Sequence, residues 1–416
     1  MLAASIAHGL AGLPAWVAGI MAWVAAFMLW GGLAAGQRRQ CALLVGVGLA
    51  GVVFGHVNSV SISWTRLLSE NQAIIALIAG VSFVYMASTP PSVEDHASPR
   101  GSGAFLRTLL GLNVLAAAIN ITSLILVSDR IGQMRTFGSL EAASLSRAFS
   151  LAVLYSPFIG GMALALNQAP DASFVKIAML GLGLTLFGIG FTYVAAKRRH
   201  SESLAQFPEY PLRPDVLWLP AVLAGAVVAI RMGWPGVPVL TAVALLAPVI
   251  SWFGVARKVG SVRANVRISE HIVNRLPGMS GELMLFLSAG VLAVGLSSAF
   301  AAAGISLPTD RFPGAAAALS LLVVILAAAA GLHPIITLTA LIPLLAPLNL
   351  PPEAVVILYV AGWSIGCALC PYSGTNLVLQ ARHDLSAWRF PLWSAGYGLF
   401  MWVLVSIVLI FLAGGL

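Results

Sequence analysis

Apolar residues fill this chain in runs of about 20, the length that crosses a bilayer as a helix, and short segments rich in charge, glycine and proline separate the runs. Ten runs are predicted as spans: 13–35, 41–60, 72–88, 144–166, 174–196, 215–232, 236–254, 279–300, 353–381 and 389–414. Two further apolar stretches do not fit. One, 104–128, is interrupted by Asn113 and Asn120; the other, 312–349, is too long for one span and is broken at Gly331-Leu332-His333-Pro334. Each reads best as a re-entrant hairpin that enters and leaves on one face, because broken backbone at membrane depth is tolerated only inside protein. Residues 255–276 place Val259, Val262, Val266, Val273 and Leu276 at helical spacing with cations between them, the pattern of an amphipathic helix on the inner surface.

Charge placement agrees with this division. With the N-terminus outside and both stretches re-entrant, the inner loops hold Arg38, Arg39, Arg100, Arg107, Arg130, Arg135 and Lys197 to Arg199. They also hold Arg257, Lys258, Arg263, Arg267, Arg275, Arg382 and Arg389, while the outer loops hold little more than Arg66, Lys176, Arg231 and Arg311. This is the positive-inside pattern, and treating either hairpin as a single span would invert every later loop. It predicts a multi-pass protein of the cell inner (plasma) membrane with both termini on the outer side. The start lacks a basic n-region and the apolar run from Pro14 to Gly31 is long, so an uncleaved first span is expected rather than a signal peptide.

Composition sharpens the exclusion of a soluble protein: 59% of the 416 residues are hydrophobic and 9% charged, too few to wet a globular surface. The net charge of +8 is read as a topology signal, because no basic stripe with interleaved aromatics points to nucleic acid. Cys41, Cys367 and Cys370 sit in apolar segments and indicate neither a disulfide framework nor a zinc site; the Cys367-Ala-Leu-Cys370 spacing is read as small-residue helix packing.

The two halves align without a gap at one place. Residues 150–164 lie over 364–378, so that serine, Pro157 and Pro371, the following aromatic, and Gly160 and Gly374 coincide at an offset of 214 residues. The same offset carries Asn120 onto Pro334, the break of the second hairpin. The expected fold is therefore an all-α integral membrane protein of two repeats, 1–196 and 215–416, joined by an inner linker at 197–214. Each half has five spans and a hairpin, and an odd number of spans makes the second half inverted, the architecture of secondary transporters.

Proline lacks an N–H and clashes with the preceding turn, so the spans carrying Pro157 and Pro371 should unwind near mid-membrane. The helices restarting at Gly160 and Gly374 would then offer free N–H groups to an anion, and the carbonyls before the breaks would suit a cation. A proline kink eased by glycine would give the first copy, Ser156-Pro157 with Gly160-Gly161, the same look. The second copy adds Ser373, Thr375 and Asn376, polar groups that are costly in an apolar helix unless they bind something. The hairpin tips supply Asn120, Thr122 and Ser123 on one side and His333 with Thr337 on the other. His333 is either a structural hydrogen-bonding group or a ligand or proton carrier, and both readings stand. Asn120-Ile-Thr122 has the form of a glycosylation sequon but lies in an apolar hairpin facing inward. Arg147, at the start of its span, is expected to snorkel to the inner surface.

Two inverted halves of five spans, each with a hairpin followed by a broken span, resemble the ion transporter superfamily. That superfamily includes divalent anion/sodium symporters, citrate-metal and arsenite permeases and the aminobenzoyl-glutamate family. The resemblance covers nearly the whole chain in architecture but is confined at residue level to the tips and the broken spans. It implies a homodimer with an elevator-like transport domain and a site built from tips and broken spans. Carried over, Asn120 and Thr122 with Ser156, Pro157, Gly160 and Gly161 would form one substrate half-site, and His333 and Thr337 with Ser373, Gly374, Thr375 and Asn376 the other. Asn120, Ser123, His333, Thr337 and Asn376 would hold the coupling ion. The symporters' tips carry Ser-Asn-Thr, whereas this chain has Asn-Ile-Thr and Leu-His-Pro, which leaves Na⁺ and H⁺ both open as coupling ion and the dicarboxylate unassigned.

The function expected from the sequence is secondary active transport of a small, anionic, carboxylate-like solute, with no cofactor beyond Na⁺ or H⁺ and lipid as the other partner. A membrane-embedded enzyme or lipid-handling protein would want paired carboxylates, a metal-binding helix or a nucleophile with its base, and the apolar runs lack them. A permease subunit of a larger complex is the remaining alternative.

Overall fold

The computed structural model describes residues 1–33, 35–87, 99–210, 218–234, 236–305 and 313–414. The expected span and hairpin residues 34, 88, 215–217 and 312, the linker residues 211–214, and Arg311 lie outside the described residues. In chain order the helices are α1 (Leu2–Ala11), α2 (Ala15–Leu29), α3 (Ala35–Val57), α4 (Trp64–Ser69), α5 (Gln72–Ala87), α6 (Ser102–Ile119) and α7 (Ile121–Met134). They continue with α8 (Ser139–Ser150), α9 (Gly160–Gln168), α10 (Phe174–Arg199), α11 (Ser201–Ala205), α12 (Trp218–Gly233), α13 (Val239–Val259) and α14 (Ser261–Glu270). The last are α15 (Ser280–Ala303), α16 (Pro313–Ala329), α17 (Pro334–Leu345), α18 (Pro352–Leu369), α19 (Gly374–His383) and α20 (Arg389–Leu412). Among the described residues the only pairing of extended backbone is an isolated bridge between Arg100 and Pro208.

Nine helical segments among the described residues are long and apolar enough to cross a bilayer, and the protein is an all-helical, multi-span membrane protein. The count differs from the ten expected spans for local reasons. The run 144–166 is split into helices too short to span, and α12 shows only 16 described residues, while α6, the first arm of the expected hairpin, reaches 18. The first span is α2 with a 3-10 turn to Gly32 rather than 13–35. The unexpected α1 precedes it, ended by Gly12 in the left-handed region at φ 69° and by Pro14. The amphipathic segment does not begin at 255, because α13 runs to Val259 and Gly260, at φ 87°, turns the chain into α14. There Val262 and Val266 are exposed alongside the cations, followed by a π turn at His271–Arg275.

The chain forms two compact units, each drawn from both halves of the sequence. Unit 1 is Met1–Thr89, Trp218–Asp310 and Thr339–Asn349; unit 2 is Pro90–Leu217, Arg311–Leu338 and Leu350–Leu416.

Unit 1 is organised by contacts between helices at small residues. Helix α3 presents Gly48, Gly51 and Gly55 to Val291, Gly295 and Ser298 of α15; a Cβ at Gly48 would come within 2.6 Å of the Val291 carbonyl oxygen. Backbone approaching this closely is the small-xxx-small mode of helix association in lipid, where hydrophobic burial offers little drive and packing supplies it. Gly80 of α5 lies likewise against Ala244 of α13. Asn71, at φ 63° between α4 and α5, donates its amide to the Phe286 carbonyl at 2.9 Å and so ties this bend to α15. His271 bonds Ser82 at 2.8 Å and lies against Phe83, which anchors the π turn on α5.

Unit 2 contains α6 and α7, α16 with α17 as far as Leu338, both broken spans, and α10 and α20; the rest of α17 belongs to unit 1. Within unit 2, α9 begins at Gly160 and α19 at Gly374, 214 residues later, and α10 and α20 begin 215 residues apart. Residues 200–210 pack on the base of α6. Phe207 meets Phe105 edge-on at 4.9 Å, the Tyr210 N–H donates to Thr108 at 2.9 Å, and Arg107 pairs with Glu209 at 2.5 Å.

Candidate functional site

The four breaks expected from the sequence all occur in unit 2, and each has a local cause. Helix α6 ends and α7 begins at the single residue Asn120, whose φ of 50° and ψ of −139° are strained for any residue with a Cβ. Asparagine tolerates positive φ better than most, and the turn is closed by the Ser123 N–H and hydroxyl, both donating to the Asn120 carbonyl at 2.9 and 2.7 Å. Because glycine reaches this conformation freely, Asn120→Gly is expected to hold or raise thermal stability. Asn120→Ala is expected to lower it by about 1 kcal/mol; equal melting temperatures for the two variants would refute the strain.

The first broken span starts as α8, with Glu141 accepting from the Gly138 N–H at 2.8 Å and pairing with Arg135 at 3.1 Å. It tightens into a 3-10 turn at Leu151–Leu154, opens around Pro157, and restarts as α9 with no capping side chain. Ser156 fixes the opening by donating to the Ala117 carbonyl near the end of α6 at 2.8 Å and accepting from the Phe158 N–H at 3.2 Å. Buried Asn113 adds a second tie, donating to the Ala148 carbonyl and accepting from the Tyr155 hydroxyl, both at 2.8 Å. Gly161 is needed for space, since a Cβ there would lie 2.6 Å from the ring of Trp363.

The second broken span leaves the helix at Cys370 and restarts at Gly374. Ser373 caps the restart, accepting from the Asn376 N–H at 3.3 Å and donating to the Cys367 carbonyl at 2.8 Å. The Asn376 amide donates to the carbonyls of Cys367 and Cys370 at 3.0 and 2.8 Å, and its oxygen accepts from Ser146 of α8 at 2.6 Å. Asn376 and Ser373 thus satisfy the orphan carbonyls of α18 and join the two broken spans, a role invisible in their spacing.

At the second hairpin tip the chain turns through Gly331, at φ 100°, which lies against the Tyr372 ring. His333 Nδ1 accepts from the Ile335 N–H at 3.3 Å, so its ring caps α17 and the neutral tautomer presents Nε2–H outward from that bond. The ring stands edge-on to Trp363 at 5.5 Å, the same indole that covers Gly161. Pro334 packs on Gly366 of α18. Thr337 lies one turn into α17.

The polar inventory of the site therefore divides. Ser123, Ser156, Ser373 and Asn376 are engaged within unit 2, whereas the hydroxyls of Thr122, Thr337 and Thr375 make no hydrogen bond among the described residues. Arg147 does not snorkel as expected. It is 6% exposed, donates to the Trp393 carbonyl at 2.5 Å and to Ser394 at 3.2 Å, and lies over the Tyr397 ring at 5.2 Å. The reason is long-range: its acceptors arrive from α20, beyond the reach of any pattern around residue 147.

No protein-family model and no curated protein matches the chain. Among solved structures it is similar to the crystal structure of the Alcanivorax borkumensis YdaH transporter, with 15% sequence identity and a TM-score of 0.48, over 81% of this chain and 84% of that one.

Proposed function

We propose that this protein is a secondary active transporter for a small anionic solute, driven by Na⁺ or H⁺, with the solute held in unit 2. The observation that supports this reading most is the pairing of hairpin tips with broken spans: Ser156 on Ala117 for the first, Gly331 on Tyr372 and His333 on Trp363 for the second, with Trp363 also covering Gly161 of the first. Beside these pairs lie the buried Thr375 hydroxyl, the half-buried hydroxyls of Thr122 and Thr337 and the buried, uncapped start of α9, which suits reversible binding of an anion. In this reading Thr122 and Thr375 contact the solute, with the N–H groups of Gly160 and Gly161. His333 Nε2, Asn120 and Thr337 belong to the solute or coupling-ion site. The halves are inverted repeats, unit 2 is the moving body of an elevator, and unit 1 is the scaffold of a homodimer in the inner membrane with both termini outside.

Purified protein in liposomes, given an inward Na⁺ or H⁺ gradient and a panel of radiolabelled carboxylates and inorganic anions, is expected to accumulate at least one of them. Thr375→Ala and Thr122→Ala are expected to lower that uptake about tenfold or more, as for loss of a hydrogen bond to a charged group. Absence of uptake and of counterflow for every solute under both gradients would sink the proposal.

A further inference from the structure

We propose that unit 2 carries a second anion site, for the phosphate of an anionic phospholipid, in the cavity enclosed by α8, α10 and α20. This inference is independent of the transport reading. The cavity holds about 500 Å³ and is lined by Arg147, Arg198, Arg199 and His200 together with Trp393 and Tyr397. Its key residue is Arg147. Elsewhere in the protein Arg66, Arg107, Arg135 and Arg382 each meet a carboxylate, on Glu70, Glu209, Glu141 and Asp129. Arg147 is more buried than any of them, yet its partners among the described residues are a carbonyl, a hydroxyl and an aromatic face, none of which carries charge. A buried guanidinium without a counter-charge is unfavourable, and its planar fork of five donors has more capacity than these two hydrogen bonds use. Arg198 and Arg199, at the end of α10, bring two further cations to the same cavity. A positive charge at a helix C-terminus is ordinary; a sequestered arginine beside it, with no acid to answer it among the described residues, is not.

The missing partner is an oxyanion that a guanidinium grips through two oxygens, such as a phosphate. A lipid phosphodiester and free inorganic phosphate share that chemistry, and the surroundings favour the lipid. The cavity walls are largely apolar, Val194 and Leu392 on its lining are exposed, and Phe187 of α10 and Leu399 of α20 continue that exposed apolar surface, on which acyl chains can lie. Basic pockets between spanning helices are a recognised mode of headgroup capture.

The test is native mass spectrometry of the purified protein offered equimolar phosphatidylglycerol and phosphatidylcholine, with melting temperature read in parallel. The wild type is expected to retain phosphatidylglycerol about tenfold or more over phosphatidylcholine, the order of discrimination that two or three interfacial cations give. Arg198→Gln with Arg199→Gln, changes at the open rim that leave the fold intact, are expected to bring retention close to parity. Arg147→Lys, which keeps the charge and loses the fork, is expected to reduce it several-fold. Equal retention of the two lipids by the wild type, or selectivity unchanged in the double variant, would overturn the site. A melting temperature raised by millimolar inorganic phosphate without lipid, with no phosphatidylglycerol retained, would overturn the lipid assignment in favour of the free anion.

Discussion

Gly295→Leu is expected to leave almost no monodisperse protein after detergent extraction, whereas Gly46→Leu, on the same pair of helices, is expected to behave like the wild type. A Cβ at Gly295 would overlap the Gly48 carbonyl, and at Gly51 it would overlap the Gly295 carbonyl, whereas Gly46 meets nothing within 4 Å. The clash is with backbone, which cannot swing aside as a side chain can, so helices α3 and α15 must separate along their whole contact. Overpacking a well-fitted interior usually costs about 1–3 kcal/mol, and parting two backbones in lipid lies above that range. Size-exclusion profiles of the two variants, with melting temperature where a peak survives, decide the matter. An ordinary peak for Gly295→Leu would mean that α3 and α15 do not meet as described.

Asn376→Ala is expected to be the most damaging polar truncation in unit 2. It leaves the Ser146 hydroxyl without its acceptor and takes one of two donors from each of the Cys367 and Cys370 carbonyls, which keep Ser373, in a region where Ser146, Ser373 and Asn376 are fully buried. An unsatisfied buried hydroxyl costs about 1–3 kcal/mol and the thinned bonding of the two carbonyls adds to it, so a total loss of about 2–3 kcal/mol is expected. Loss of transport in this variant would say nothing about the solute. Thr375→Ala, one residue earlier, removes a hydroxyl with no partner among the described residues, and its stability should stay within about 1 kcal/mol of the wild type. Denaturation midpoints for the pair, measured beside uptake, separate the bracing residue from the proposed binding residue; matching midpoints would remove the distinction.

The features legible in the sequence were those with local causes. Asn120, Pro157, Gly331 to Pro334 and Pro371 interrupt apolar runs by their own conformational demands, and the structure breaks at all of them. Element boundaries moved where one residue outweighed a run: Gly260 divides α13 from α14, and Gly12 with Pro14 divides α1 from α2. What could not be read was which polar groups are left over once the chain has folded. Arg147 and Asn376 are decided by acceptors and donors 230 or more residues away, and a count of polar side chains in one helix cannot subtract those bonds. The glycines of α3 were equally silent, because Gly46 and Gly48 differ only in what stands opposite them.

That each compact unit draws on both halves of the sequence bears on how the protein is made. As the ribosome delivers the first half to the membrane, α8 arrives with Ser146 and Arg147 long before α19 and α20 bring their partners. Helix α3 likewise waits for α15 before its row of glycines has anything to close upon. Neither unit can be completed by the first half alone, so the packing of both waits until the last helices emerge.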